Sequence, residues 1–175
     1  MIIDILKSSN SSELIKWNKE EVFRVIPELR ICDGFNQKND YHIYDVLEHT
    51  LVVLDNVSDS YLLKIAALFH DIGKPNCFTL DENGIGHFFG HWDESAEIFD
   101  KYKDMFRLSD EDYKYVRNLI QYHDLRPVSE NMPKFKELFG NRVNGLLLLK
   151  KADILAQNPK YNSSLEEIDN LLNNL

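Results

Sequence analysis

The feature that most constrains this chain is an apolar helical run ending in two ionisable residues. Leu62-Leu63-Lys64-Ile65-Ala66-Ala67-Leu68-Phe69 should be among the most buried segments of the protein, and it leads directly into His70-Asp71. Gly73 then stops the helix and Pro75 forbids its continuation. Any fold that buries this run must also find partners for an imidazole and a carboxylate at its end.

The rest of the chain follows the same helical period. Asp45, Val46 and Glu48 form a capping-box start, after which Val46, Thr50, Val53, Leu54 and Val57 share one face. Ser58 or Asp59 is expected to cap the next helix, Tyr61 to about Ile72. Further helices are predicted from about Trp92 to Tyr102, and after Ser109 with Val116, Ile120 and His123 inward. Another opens at Asn141, with Leu146, Leu149, Asp153 and Ala156 on one side, and a last one runs from Ser163 to Leu172. Before Asp45, one or two short helices fall around Ser12 to Trp17 and Lys19 to Val25. Between Cys77 and Phe88 the period changes, and the turn Asp81-Glu82-Asn83-Gly84 suggests a short hairpin or ordered loop. The pattern predicts an all-α bundle of about six or seven helices in a single domain spanning 1–175. Its parts are an N-terminal helical segment (1–40), a core (41–158) and a C-terminal helix (159–175).

Composition closes off several function classes. The 175 residues are 43% hydrophobic and 28% charged, so disorder and fibrous repeats are poor readings. The longest apolar runs, such as Ile65 to Phe69, fall far below the ~20 residues of a membrane span. Met1 to Lys7 lacks the basic lead-in and apolar core of a signal peptide, and Cys32 and Cys77 cannot form a disulfide framework. A cytoplasmic protein is expected. With 20 Lys and Arg against 29 Asp and Glu, the net charge of −9 argues against an extended nucleic-acid surface.

The informative residues break the amphipathic code. His49 interrupts the stripe between Val46 and Val53, His70 and Asp71 end the apolar run, His123 follows Ile120 by three, and Asp153 sits among Leu146, Leu149 and Ala156. One such histidine is ordinarily a hydrogen-bonded core residue, and one such aspartate a cap or ion-pair partner. Three histidines and two aspartates facing one core need a common partner, and a divalent metal bound by imidazole and carboxylate supplies it. The two cysteines have no zinc-type spacing. If Asp71 offers one oxygen to each of two ions, these could sit ~3.5–4 Å apart, a spacing suited to activating water and gripping phosphate.

The order His49, His70-Asp71, Asp153 resembles the signature of the HD-domain metal-dependent phosphohydrolases. The surrounding stretches are similar to the C-terminal HD domain of bacterial tRNA nucleotidyltransferases, the CCA-adding enzymes. They are Pro27-Glu28-Leu29, Tyr41 to Thr50, Ala67 to Pro75, His87-Phe88-Phe89-Gly90-His91 before Ser95-Ala96-Glu97, His123 to Pro127, and Lys151-Ala152-Asp153. Together they cover roughly Pro27 to Ala156.

The resemblance implies a metal held by His49, His70, Asp71 and Asp153. A second would be held by His91 and His123 with Asp71 as bridge, although Trp92 stands where the family often has Glu. It also implies a phosphate-meeting cation at Lys74, a second phosphate contact at Arg126, and possible substrate contacts at His42 and His87. Asp124 would either orient a ligand histidine or simply end its helix. The cofactors implied are one or two divalent transition-metal ions: iron, manganese, cobalt, nickel or zinc.

No Gly-Gly nucleotidyltransferase motif with paired carboxylates is present, so the chain should not add CCA and looks like the HD module alone. The expected activity is hydrolysis of a phosphomonoester or phosphodiester, with a nucleotide, a 2′,3′-cyclic nucleotide or an RNA end as the small phosphorylated partner. The alternative is a nucleotide-binding or regulatory module whose metal site is structural or vestigial. An RNA-binding helper fits poorly with the charge and with the lack of an exposed aromatic and basic platform.

Overall fold

A computed structural model describes residues 1–57 and 59–175. Ser58, one of the two suggested caps, lies outside the described residues. Eleven α-helices are present among them: α1 (Ile2–Lys7), α2 (Ser11–Trp17), α3 (Lys19–Val25), α4 (Glu28–Cys32), α5 (Val46–Asn56) and α6 (Tyr61–Phe69), then α7 (His91–Asp100), α8 (Asp110–Tyr122), α9 (Met132–Phe139), α10 (Asn144–Leu155) and α11 (Leu165–Asn173). The all-α expectation holds, while the count exceeds the six or seven read from the pattern. The additions are short. α1 and α4 have six and five residues. α9 follows Pro127 and carries Pro133 in its first turn, which hides its period, yet it buries Phe135 and Phe139.

Side-chain caps open the helices that matter most. Asp45 Oδ1 accepts from Glu48 N at 2.8 Å at the start of α5. Ser60, rather than Asp59, caps α6 by accepting from Leu63 N at 3.5 Å. Ser109 does the same for α8, from Asp112 N at 3.1 Å. α10 begins at Asn144, three residues later than expected, because Gly140–Arg142 forms a 3-10 turn before it.

α6 lies at the centre, touching α1, α5, α7, α8 and α10, with Ile65 to Phe69 wholly buried. It ends at Phe69 instead of Ile72. The chain there tightens through Ile72 N to Phe69 O (3.3 Å) and Lys74 N to Asp71 O (3.0 Å), into a 3-10 turn at Lys74–Cys77. That tightening lets His70 and Asp71, neighbours in sequence, reach the same space. Cys32 Sγ, from α4, donates to Ile72 O at 3.8 Å and holds the turn from behind. Beyond it the expected hairpin is a two-residue ladder: β1 (Thr79–Leu80) lies antiparallel to β2 (Gly86–His87), closed by Gly84 at φ +76°. α11 packs on α10 through Leu147, Ile154 and Ile168. Among the described residues no helix is long and apolar enough to cross a membrane.

Gly73 is where the turn meets α7. Its amide donates to Ser95 Oγ at 2.9 Å, and a Cβ added there would lie 2.7 Å from Ser95 N. Backbone meets backbone, so relief requires the turn and α7 to separate. Gly73→Ala is expected to cost about 1–3 kcal/mol, read as a lower urea midpoint; an unchanged midpoint would contradict the contact.

Candidate metal centre

All six histidines of the chain gather in one region. A cavity of about 320 Å³ is lined by His42, His87, His91 and His123 together with Asp71, Lys74 and Asp153. His49 and His70, both fully buried, sit beneath it: the two Nε2 atoms are 3.3 Å apart, and each is within 3.3 Å of Asp71 Oδ2.

Helix ends aim most of these side chains. His70 and His123 stand just past the last residues of α6 and α8, and His91 is the first residue of α7, after Gly90 at φ +83°. In each case Nδ1 meets the carbonyl three residues back: Ala67 O at 2.8 Å, Ile120 O at 2.7 Å and Phe88 O at 2.8 Å. His49, in the middle of α5, places Nδ1 3.4 Å from Ala156 O at the end of α10. A carbonyl can only accept, so all four rings carry a proton on Nδ1, and in the neutral ring this leaves Nε2 as an inward-facing lone pair.

Those lone pairs face one another and face carboxylates. His91 Nε2 and His123 Nε2 are 3.3 Å apart, lying 3.2 and 3.5 Å from Asp71 Oδ1. On the other side His49 Nε2 is 3.1 Å from Asp153 Oδ1 as well as 3.3 Å from Asp71 Oδ2. Acceptors therefore crowd acceptors among buried side chains, an arrangement that costs free energy without a cation between them. Asp71 Oδ2 is itself buried and accepts no hydrogen bond, although Lys74 Nζ lies 2.7 Å away. Two groups of donor atoms emerge, His49 with His70 and Asp153, and Asp71 with His91 and His123. Asp71 presents one oxygen to each side. Imidazole nitrogen and carboxylate oxygen in this mixture suit divalent transition metals, and the residues present fit such ions.

The electrostatics agree with ionised carboxylates at the centre of the site. Burial works against the Asp71 charge, but His70 and Lys74 outweigh it and hold the carboxyl well below the usual range. Asp153 is held low against its own burial by Lys150 and His49. Burial pushes His123 down. His70 is the exception: burial lowers it, yet Asp71 more than reverses this, so the net direction is up. A proton there relieves one crowded contact and leaves the His91 and His123 side as it was.

Lys74 is buried, donating to Gln37 Oε1 at 2.9 Å, with Nζ 3.4 Å from His42 Nε2. Burial, then the Lys74 charge, pushes His42 down to about 3, so this ring is neutral. His87 sits at the mouth, 3.2 Å from Asp81 Oδ2 and parallel to the ring of Phe89. Arg126 does not line this cavity; it lines an adjoining one. Asp124 reaches neither histidine pair and instead lies 3.5 Å from Lys150 Nζ. The pattern reading missed Lys150, Gln37 and Gln157. Lys150 is a buried cation 3.1 Å from Asp153 Oδ2, and Gln157 donates to Asp153 Oδ1 at 3.2 Å. A lysine closing the run Leu146 to Leu149 was the visible signal for the first; polar loop residues give none for Gln37.

The HD-domain family model matches residues 39–158, and the chain belongs to that family, within a superfamily of metal-dependent phosphohydrolases. Two curated relatives are similar over parts of their length. One is an A-adding tRNA nucleotidyltransferase of Deinococcus radiodurans, 33% identical over 104 residues, 56% of this chain and 24% of that protein. The other is a CC-adding tRNA nucleotidyltransferase of Thermus thermophilus, 31% identical over 140 residues, 75% of this chain and 32% of that protein. The chain thus spans about a quarter to a third of the relatives it matches.

Proposed function

We propose that this protein hydrolyses a phosphate ester, with one divalent ion held by His49, His70, Asp71 and Asp153 and a second by Asp71, His91 and His123. The observation that carries this reading is the set of four inward Nε2 lone pairs converging on the two oxygens of Asp71. Ions bound there would supply water deprotonated near neutral pH and positive charge for phosphoryl oxygens.

The chain's own groups do the rest. Lys74 stands on the cavity wall beside Asp71, with an ammonium that Gln37 keeps from turning away. Its part is to meet charge building on the phosphoryl oxygens. Neutral His42 lets that charge point at the ligand without a competing cation. His87 borders the entrance, where it can contact the leaving group. Asp153 is itself held beside His49 by Lys150 and Gln157, which fix its oxygens for an ion shared with that ring. A nucleotide, a 2′,3′-cyclic nucleotide or an RNA end is the substrate class that this cavity and the family favour.

The test is a survey of phosphomonoesters, nucleotides and cyclic nucleotides with protein loaded in turn with manganese, iron, cobalt, nickel and zinc. Cleavage of at least one class, lost in EDTA and restored by metal, is expected. Metal-loaded protein inert toward all of them would favour the regulatory module instead.

A further inference from the structure

A second cavity, of about 650 Å³, adjoins the histidine cavity and shares His42, Asp124 and Gln157 with it. It is the larger of the two, and a lone phosphate group in the first would leave it unfilled. Its wall combines an uncommitted cation with an aromatic surface. Arg126 is exposed and has no carboxylate partner among the described residues, while its carbonyl is pinned by Val128 N at 3.0 Å and Asn131 Nδ2 at 2.8 Å. The backbone is held and the guanidinium is free. Lys150, by contrast, is occupied by Asp153 and Asp124.

The same cavity is lined by Tyr41, 54% exposed, its ring 4.2 Å from that of Tyr161 at 33°. The platform is anchored from its backbone: Asn158 N donates to Tyr41 O at 2.8 Å, and Asn158 Nδ2 to Asp40 O at 3.0 Å. Lys160 adds a charge restrained by an exposed pair with Asp40 at 3.2 Å and by the Tyr161 ring, whose centroid lies 5.0 Å away. A planar fork for phosphate beside an exposed aromatic face is the chemistry that recognises a nucleotide unit.

We propose that this cavity binds one nucleotide beyond the phosphate group held in the histidine cavity, with its phosphate on Arg126 and its base against Tyr41. The preferred ligand is then the end of a short nucleotide chain, at least a dinucleotide, and not a mononucleotide. This rests on the histidine cavity being a phosphate-ester site. The −9 net charge suits a two-nucleotide grip better than a long track.

The experiment is calorimetric titration of manganese-loaded protein with the phosphorothioate forms of AMP and of the dinucleotide pApA, which resist cleavage. The dinucleotide should bind about tenfold tighter or more. In Arg126→Gln and in Tyr41→Ala that ratio should fall to within about twofold of unity, with metal content per chain unchanged. Equal binding of the two ligands by wild type, or a ratio that survives both variants, overturns the inference. A ratio that behaves as expected in a protein cleaving no phosphate ester would retain this site and remove the hydrolase reading. Cleavage without the ratio does the opposite.

Discussion

Asp71→Ala is expected to lose both ions and to lower phosphate-ester hydrolysis by about a thousandfold or more, equivalent to about 4 kcal/mol of barrier. The reason lies in its two oxygens. Oδ2 faces His49 and His70, Oδ1 faces His91 and His123, and among the described residues no other carboxylate touches both pairs. Asp153 remains to serve the first pair, but the second keeps only two imidazoles. The variant also leaves Lys74 buried without its counter-charge, a defect of about 3–5 kcal/mol in the metal-free protein. Asp71→Asn, which preserves shape, separates the two effects: it should fold better and still lose metal. Elemental analysis together with the rate checks this. Full metal content at unchanged affinity in Asp71→Ala would show that Asp71 is not shared.

Lys74→Ala should behave differently, keeping its metal and losing about 100- to 1,000-fold in turnover, or ~3–4 kcal/mol of barrier. Its Nζ touches Asp71 Oδ2, Gln37 Oε1 and the cavity, so under the proposed function it would neutralise Asp71 in the absence of metal and meet phosphate in its presence. Removing it deprives Asp71 of one cation, which bound ions replace, and metal affinity should hold or rise. Because the charge acts on oxygens that become more negative as the bond breaks, the loss should fall on kcat more than on KM. Unchanged turnover would reduce Lys74 to a counter-ion.

Much of the candidate site is legible in the sequence. His49 stood out because an imidazole interrupts the face of α5, and His70-Asp71 because they end the most apolar run in the chain. Asp153 betrayed itself among leucines. His91 was different: it opens a helix after a loop, where a polar residue breaks no pattern, and only the family resemblance singled it out. For Arg126 the resemblance implies a phosphate contact but does not say which cavity it serves, since that depends on how the loop after α8 closes against α10. The same limit hid α9, whose apolar positions Phe135 and Phe139 follow prolines. It also hid Gln37, which reaches Lys74 across 37 positions of sequence. Periodicity reports which face of one element is buried and is silent on partners brought together by tertiary packing.

Metal stoichiometry is the most direct check on the central claim. Protein purified without chelator, or reconstituted with manganese and freed of excess, should carry two ions per chain by elemental analysis. His91→Ala should carry one, because it leaves His49, His70, Asp71 and Asp153 in place and removes a ligand from the other side only. A wild-type protein that binds no divalent ion at micromolar concentration, or a His91→Ala protein indistinguishable from it in ion count and affinity, would contradict the two-position centre built around Asp71.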